Sequence, residues 1–205
     1  MSGQFLIWIT SLEIEAAIKG RRSEQLLIAP APSDEEFSSF LRLCSFVPDH
    51  GRMRPWRWIL VRGAGRQALG RALSSDSVRE EEDVTVRKML RAPLVAALVF
   101  RPRPSEKVPE WEQLASTSAA AYALMLILHG QSYGSIWRTG SRSTSPAMRS
   151  ILGISKDEQL LGTLDIGTPL RAGGSKPQRQ PLNAADHMSV FPFGAETPSR
   201  RPTGP

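Results

Sequence analysis

The 205-residue sequence predicts a domain in which helices and strands are interspersed along the chain. Two capping-box patterns, Thr10-x-x-Glu13 and Ser33-x-x-Glu36, each precede a helical run. Residues 94–100 form an uninterrupted apolar run with valines, which is typical of a buried strand. Residues 110–129 have the pattern of a long helix. The length fits one domain with tails.

The other elements follow from local sequence signals. Pro48 and Pro55 enclose residues 49–54, which we expect to be an irregular loop. The charged run inside residues 77–90 is interpreted as the solvated face of a surface helix. In chain order we expect helices at residues 11–20, 34–46 (Phe37, Phe40, Leu41 and Cys44 on one face), 66–73, 77–90, 110–129 and 145–153, and strands at 56–61, 94–100, 135–138 and 160–166.

The helix at residues 110–129 bears on the oligomeric state. Its second half, residues 119–128, is apolar on every side, and such a helix has to be covered on every side. In a chain of this size a second subunit is the obvious cover. We therefore predict a homodimer.

The composition argues against disulfide-rich, metal-binding, membrane-spanning and secreted proteins. The single cysteine, Cys44, excludes an internal disulfide framework, and His50, His129 and His187 lie too far apart to form a metal pair at helical spacing. No stretch has the length and apolarity of a membrane span, and no secretory signal pattern is present. We expect a cytoplasmic protein that binds no metal and no membrane.

The formal charge of +6 does not by itself indicate nucleic-acid binding, because several cations lie after Leu170. That part of the chain is rich in Pro, Gly, Arg and Ser, which is typical of extended or disordered segments. Its short apolar patch, residues 187–191, could dock as a strand on the same or the partner subunit. We divide the chain into an N-terminal extension (1–10), a folded domain (11–170), an arm docking on the dimer (171–191) and a disordered tail (192–205).

Two motif matches are rejected as the main interpretation. Residues 63–68 fit the dinucleotide fingerprint G-x-G-x-x-G/A, but the acidic residues at the required distance fall inside a predicted helix and not at the end of a second parallel strand. Residues 130–134 fit the nucleophile elbow G-x-S-x-G, with Asp165 and His187 in hydrolase order. An elbow needs a strand before its serine and a helix after it, the reverse of the order here. A serine hydrolase using Ser132 stays a minor alternative.

A candidate phosphate site directly follows the first helix at Arg21, Arg22 and Ser23. Two guanidinium groups and a hydroxyl can bind a phosphate through charge-assisted hydrogen bonds. The C-terminus of a helix repels anions, so this site would depend on the arginines themselves.

Four motifs then occur in order: R-R-S at residues 21–23, P-D-H-G-R-M-R-P-W at 48–56, K-V-P-E-W-E-Q at 107–113 and G-S-I-W-R-T-G at 134–140. Each is weak alone. Together with the strand before Thr168 and Pro169, they resemble the nitroreductase family, and more narrowly its compact, YdjA-type branch. The resemblance covers about residues 11–170, with a fainter match at 187–191.

The resemblance implies an α+β fold, a three-layer sandwich with a mixed central β-sheet flanked by helices, in an intertwined homodimer with FMN at the subunit interface. It implies an FMN-dependent oxidoreductase that takes hydride from NADH or NADPH and passes it, in a ping-pong sequence, to a nitroaromatic, a quinone or a similar small acceptor. Because the cofactor performs the chemistry in such enzymes, no catalytic side chain is expected.

The resemblance also implies roles for individual residues. Arg21, Arg22 and Ser23 would hold the FMN phosphate, the ribityl chain and the neighbouring ring edge, with Arg171 as a possible extra phosphate ligand. His50 would approach the flavin from the other subunit. The segment along the isoalloxazine, with backbone groups near its reactive nitrogen, would be Trp137, Arg138 and Thr139.

This chain departs from many family members at three arginines. Arg52 and Arg54 stand where many members have Asn and Gln, and Arg138 stands where many have an acidic residue near the flavin. A more positive pocket would suit an anionic or electron-rich acceptor. Two other functions stay open: a flavin- or phosphate-binding module without turnover, and a basic interaction protein.

Overall fold

A computed structural model describes residues 11–76, 81–170 and 179–191 of the chain. The chain divides into two compact units, Met1–Leu170 and Arg171–Pro205. In chain order the first unit contains α1 (Ser11–Gly20), β1 (Leu27–Ile28), α2 (Asp34–Cys44), a 3-10 turn (His50–Arg52), β2 (Trp56–Val61), α3 (Ala64–Ser75), α4 (Glu82–Met89), β3 (Leu94–Phe100), α5 (Glu110–Gly130), β4 (Gly134–Arg138), α6 (Ser141–Thr144), α7 (Pro146–Ile151) and β5 (Gln159–Pro169).

The five strands form one sheet in the order β1-β5-β3-β2, and β4 also pairs with β5. The pairs between named strands are antiparallel, with Trp56 opposite Phe100 and Leu94 opposite Ile166 in the central ladders. An isolated parallel bridge joins Ser23 to Ser135, beside β4. The central strand β3 is buried over its whole length, as its apolar run predicts.

Helices cover both faces of the sheet. One face packs against α2 and α5, and the other packs against α3, α4 and α7. Because neighbouring residues of a strand face opposite sides, Leu94 and Ala96 of β3 contribute to the first core, whereas Val95 and Ala97 contribute to the second. The predicted three-layer α+β sandwich is therefore confirmed.

The capping box at the start of α2 is confirmed. The Ser33 hydroxyl accepts from the Glu36 backbone N–H at 3.2 Å, and the Glu36 carboxylate accepts from the Ser33 N–H at 2.8 Å. Phe37, Phe40 and Cys44 are buried on the predicted face of the helix. The helix ends at Cys44, two residues before the predicted end at Phe46, whose side chain is exposed.

The helix predicted for residues 77–90 is confirmed over Glu82–Met89 and is wrong at Glu81. Glu81 has extended backbone angles and α4 begins at Glu82, while residues 77–80 lie outside the described residues. The helix packs closely on α3, since a Cβ at Gly70 would lie 2.6 Å from the Cα of Val86. Thr85 and Met89 are buried, so α4 is an amphipathic packing helix with a charged outer face.

Several short elements were not predicted. The strand β1, the helix α6 and the 3-10 turn within the expected loop at residues 49–54 have no strong local signal. β5 is longer than predicted and contains an irregularity at Gly162, whose φ is +103°. A Cβ at this position would lie 2.2 Å from the Arg138 carbonyl oxygen, so only glycine fits here.

In the second unit, the part that the structure describes contains a 3-10 turn at Ala184–Asp186. Residues 188–191 form no strand there, and their side chains are exposed. The patch is therefore not a strand, and its docking on a subunit stays a prediction. The predictions for residues 1–10, Arg171 and residues 192–205 lie outside the described residues.

The long helix α5 is covered on most sides by its own chain. Ala120, Leu124 and Leu128 are fully buried against the sheet and α2, whereas Tyr122 and Trp111 are 43% and 69% exposed. The homodimer stays a prediction. Among the described residues, no helix has the length and apolarity needed to cross a membrane.

Candidate functional site

The segment Arg21, Arg22 and Ser23 lies beside β4. Ser23 forms a parallel bridge with Ser135, and the Glu24 N–H donates to the Ser135 carbonyl at 3.1 Å. The two arginines follow the last turn of α1 and are half-buried. The fold therefore brings together two motifs that are more than a hundred residues apart in the sequence.

The other feature of this region is the β4 edge, the side of β4 that faces away from β5. The Ser135 carbonyl points to this edge, because it accepts from Glu24. Alternate residues of an antiparallel strand direct their backbone groups to the same side, so the N–H and C=O of Trp137 also face the β4 edge. Among the described residues, no named strand other than β5 pairs with β4.

An open groove of about 300 Å³ adjoins Trp137. Its lining is contributed by α5, by the segment after β4, by α6 and by the start of β5: Leu114, Ser118, Trp137, Thr139, Ser143, Gln159, Leu160 and Leu161. The indole Nε1–H of Trp137 donates to the Leu161 carbonyl at 3.0 Å. This hydrogen bond fixes the ring plane at the side of the groove.

Arg138 faces the opposite side of the sheet from Trp137, since neighbouring residues of a strand alternate. Its Nε donates to Oδ2 of the buried Asp165 at 2.8 Å. The Arg138 side chain therefore does not line the groove with Trp137 and Thr139. Its backbone lies at the strand end, and its charge is partly compensated by Asp165, so the expected positive shift of the pocket is smaller than the sequence suggests.

Asp165 holds a second arginine. Arg142 of α6 donates from Nη1 to Oδ1 of Asp165 at 2.6 Å and to the Thr163 hydroxyl at 2.7 Å. The side chains of Asp165 and Arg142 are only 2% and 6% exposed. These bonds connect β5 to α6, the short helix that follows β4 in the chain.

His50 lies in the segment of residues 49–54, here called the His50 loop. Its Nδ1 is 2.7 Å from Oε2 of Glu112, in the first turn of α5. The Asp49 carboxylate accepts from the backbone N–H groups of Met53 at 3.2 Å and Arg54 at 2.7 Å. These bonds hold the loop in a tight conformation, with Arg52 and Arg54 at φ of 51° and 45°.

Within one chain His50 is remote from the arginine pair. Gly20, which precedes Arg21, packs on the last turn of α5, because a Cβ there would lie 2.8 Å from Nε2 of His129. His50 contacts Glu112 at the other end of the same helix. Seventeen residues at 1.5 Å each separate the two contacts by about 26 Å. One chain therefore does not bring these predicted site residues together.

The geometry also argues against a nucleophile elbow at residues 130–134 and a dinucleotide-binding turn at residues 63–68. The nucleophile-elbow serine, Ser132, follows a helix and precedes a strand, which is the reverse of an elbow, and both carboxylate oxygens of Asp165 accept from arginines. The glycine-rich turn before α3 connects two antiparallel strands, β2 and β3, and not a parallel βαβ unit. No cluster of metal-ligating side chains occurs among the residues that the structure describes.

Comparison with known proteins identifies the family to which this chain belongs. The family model described as "Nitroreductase family" matches residues 18–168, which is more than half of the chain. The chain belongs to the nitroreductase family. Its relatives include the protein named "Putative NAD(P)H nitroreductase YdjA" in Escherichia coli strain K12, which is 33% identical over 154 residues, covering 73% of this chain and 84% of the relative. A Haemophilus influenzae relative, named "Putative NAD(P)H nitroreductase", is 29% identical over 78% of this chain and 88% of its own length.

Solved structures share the fold of this nitroreductase-family chain. A nitroreductase-like family protein from Bacillus cereus superposes with a TM-score of 0.76 at 23% identity, covering 89% of this chain and 97% of that one. The FMN-dependent nitroreductase NfnB of Mycobacterium smegmatis, solved in complex with NADPH, gives a TM-score of 0.67 at 19% identity, covering 88% and 98%. At these identities the likeness concerns the fold alone.

Sequence reasoning missed the buried ion cluster of this nitroreductase-family chain. It considered Asp165 only as a member of a hydrolase triad, and it assigned nothing to Arg142. A usable signal exists, because Asp165 is a carboxylate within a predicted strand that is otherwise uncharged, and a buried charge requires a partner. The identity of that partner depends on the position of α6, which the sequence pattern does not give.

Proposed function

We propose that this chain is an FMN-dependent oxidoreductase that takes hydride from NADH or NADPH and transfers it to a small oxidised acceptor such as a nitroaromatic or a quinone. The observation that carries the proposal is the Ser23–Ser135 bridge, which sets two arginines beside the start of β4, while Trp137 near the other end of this strand forms the aromatic wall of a groove. FMN has the matching parts, a phosphate and a flat ring.

Relatives support the cofactor and the nicotinamide. YdjA of Escherichia coli and the Haemophilus influenzae relative are both named as NAD(P)H nitroreductases, and YdjA is 33% identical to this chain. NfnB of Mycobacterium smegmatis is an FMN-dependent nitroreductase and binds NADPH. Family membership, together with the donor set described above, favours the same cofactor here.

The phosphate end of FMN is assigned to Arg21, Arg22 and Ser23. Two guanidinium groups offer several N–H donors in planar forks that match phosphate oxygens, and the serine hydroxyl adds another. These groups follow the C-terminus of α1, whose dipole disfavours anions. The positive charge of the two arginines must therefore provide the attraction.

The ring of FMN is assigned to the β4 edge at Trp137 and Thr139. Backbone N–H and C=O groups at this edge have no strand partner among the described residues and can hydrogen-bond the polar edge of the ring. The groove of about 300 Å³ beside Trp137 is at the lower end of the size range of small-molecule pockets. Arg138 contributes its backbone to this edge, while its side chain lies on the opposite face of the sheet from Trp137.

We assign His50 to the FMN site of a partner subunit. The separation of about 26 Å along α5 sets His50 apart from the arginine pair of its own chain, so it cannot contact a phosphate bound there. A homodimer with two-fold symmetry offers each site one set of residues from either chain. The exposed side chains of Trp111 and Tyr122 on α5 supply an apolar surface for that contact.

The reaction needs no nucleophile or base from the protein. FMN, when bound, supplies the redox chemistry by accepting a hydride and passing it to the acceptor. The chain's own residues bind the phosphate, orient the ring and leave one face open. Because nicotinamide and acceptor would both bind against the open face of the ring, they would bind in turn, which gives ping-pong kinetics.

Binding and reduction of FMN test the proposal. The purified protein should take up one FMN per chain, and excess NADH or NADPH should bleach the flavin absorbance without oxygen. Adding a nitroaromatic or a quinone should then restore the absorbance. A protein that takes up no FMN, or whose bound FMN neither nicotinamide reduces, contradicts the proposal. In the first case, binding of polyanions with a steep salt dependence would favour a basic interaction protein.

The phosphate assignment has a matched control. Arg22→Gln should weaken FMN binding by about 10- to 100-fold, because it removes one charge-assisted contact to the phosphate. Arg42→Gln removes the same charge from the exposed surface of α2, where the Arg42 side chain donates to the Ser38 and Ser39 hydroxyls, and should leave FMN affinity unchanged. Equal effects of the two variants would contradict the assignment.

Mixing two variants tests the contribution of the partner. Arg22→Ala and His50→Ala homodimers should both bind FMN poorly. After they are unfolded together and refolded, each heterodimer should contain one site with both residues intact. Statistical exchange would restore about a quarter of all sites. If mixing restores no binding, His50 does not act across the interface.

A further inference from the structure

The strongest feature that the proposed function does not use is an ion cluster beside the β4 edge, formed by Arg138, Asp165 and Arg142. Asp165 accepts from Nε of Arg138 at 2.8 Å and from Nη1 of Arg142 at 2.6 Å. The side chains of Asp165 and Arg142 are almost completely buried, and that of Arg138 is 25% exposed. Buried charges interact strongly, because little water screens them.

The cluster carries a surplus positive charge. Two guanidinium groups face one carboxylate, so the sum is +1, and Thr163 adds a hydroxyl without charge. Nη2 of Arg138 is buried and has no hydrogen-bond acceptor among the described residues. The surplus is therefore neither neutralised nor fully solvated within the described chain, and it belongs mainly to the Arg138 guanidinium.

The position of the surplus charge connects it to the groove. Arg138 lies between Trp137 and Thr139, which both line the groove, and Arg142 precedes Ser143, which also lines it. The backbone of Arg138 thus belongs to the strand that forms the β4 edge, and its guanidinium lies on the opposite face of the sheet from Trp137. A charge placed in this way acts on a ligand at the edge through the electric field, without touching it.

We propose that the Arg138–Asp165–Arg142 cluster raises the reduction potential of FMN bound at the β4 edge. This inference rests on the proposed function. A hydride brings two electrons and one proton, so the ring gains one negative charge when the nicotinamide is oxidised. A nearby surplus cation binds the reduced ring more tightly than the oxidised ring, and this difference raises the potential.

The three residues have different tasks. Arg138 provides the charge, and Asp165 and Arg142 are positioning residues that hold it. Asp165 restrains the guanidinium through Nε, which leaves the Nη groups to carry the unmatched charge. Arg142 donates to the other carboxylate oxygen and is itself held by Thr163, so Asp165 cannot turn away from Arg138 without breaking its bond to Arg142.

The test is the midpoint potential of the holoprotein, measured by anaerobic dye equilibration. Arg138→Gln removes the surplus and leaves Asp165 paired with Arg142. It should lower the preference for reduced over oxidised FMN on the order of tenfold, which is about 30 mV in a two-electron couple. Arg138→Lys keeps the charge and should stay near the wild-type potential. Arg42→Gln, on the surface of α2, should leave the potential unchanged.

The outcomes separate this inference from the proposed function. A wild-type protein that binds no FMN overturns both. A wild-type protein that binds FMN and is reduced by a nicotinamide, with an Arg138→Gln variant at the same potential, overturns only the inference. Equal shifts in Arg138→Gln and Arg138→Lys would show an effect of side-chain shape and not of charge, and would also overturn it. If Arg138→Gln does not fold, Arg142→Gln brings the net charge of the cluster to zero by removing the other guanidinium, which leaves Asp165 to neutralise Arg138. This variant should also lower the potential, and an unchanged potential would overturn the inference.

Discussion

Replacing Asp165 by asparagine removes one buried negative charge and keeps the shape of the side chain. In the native fold this carboxylate is 2% exposed and faces two arginines at 2.6 and 2.8 Å. Neutralising it leaves Arg142, which is 6% exposed, without a counter-charge. Breaking a buried ion pair from one side costs about 3–5 kcal/mol in the free energy of unfolding. For a domain of this size, such a loss lowers the melting temperature by about 10 °C.

Urea denaturation of the FMN-free protein measures this loss directly. Asp34→Asn is the matched control, because Asp34 is 71% exposed and pairs with Arg62 at the surface. The control should lose at most about 1 kcal/mol. Arg138→Gln should also lose little, because Asp165 keeps its bonds to Arg142. A loss below about 1 kcal/mol for Asp165→Asn, or a loss no larger than that of Arg138→Gln, would refute the electrostatic reasoning.

Two further predictions concern the frame of the sheet. Hydrogen bonds from Arg57 lower the pKa of the nearly buried Glu158 to about 2, so its contribution to stability is complete above its ordinary pKa of 4.5 and is lost as the pH falls toward 2. Glu158→Gln should therefore lower the free energy of unfolding by about 3 kcal/mol at pH 7, and by progressively less below pH 4.5, in urea titrations. A loss independent of pH would contradict the stabilisation of the ionised Glu158 by Arg57. Gly162→Ala places a Cβ against the Arg138 carbonyl oxygen at a φ of +103°. The free energy of unfolding should therefore fall by about 3 kcal/mol, measured by thermal denaturation. An unchanged melting temperature would mean that the backbone at Gly162 relaxes without cost.

Sequence reasoning was most accurate where the deciding interactions are local. The capping box of Ser33 and Glu36 spans three residues, and the start of α2 was predicted to the residue. The apolar runs of β3 and α5 were also placed correctly, since burial of such runs depends little on what covers them. Sequence reasoning was less accurate at the start of α4, where the charged run suggested that Glu81 is helical, although its backbone is extended.

The candidate site shows the same division. The sequence by itself determined which residue types the site has and that the chain belongs with the nitroreductases, because the motifs and their order are written in it. Only the tertiary structure decided that Ser23 meets Ser135, that His50 is remote from Arg21, and that Arg138 pairs with Asp165, 27 residues further on. The physical reason is distance along the chain. Local patterns fix hydrogen bonds over a few residues, whereas these contacts depend on the order and register of the strands.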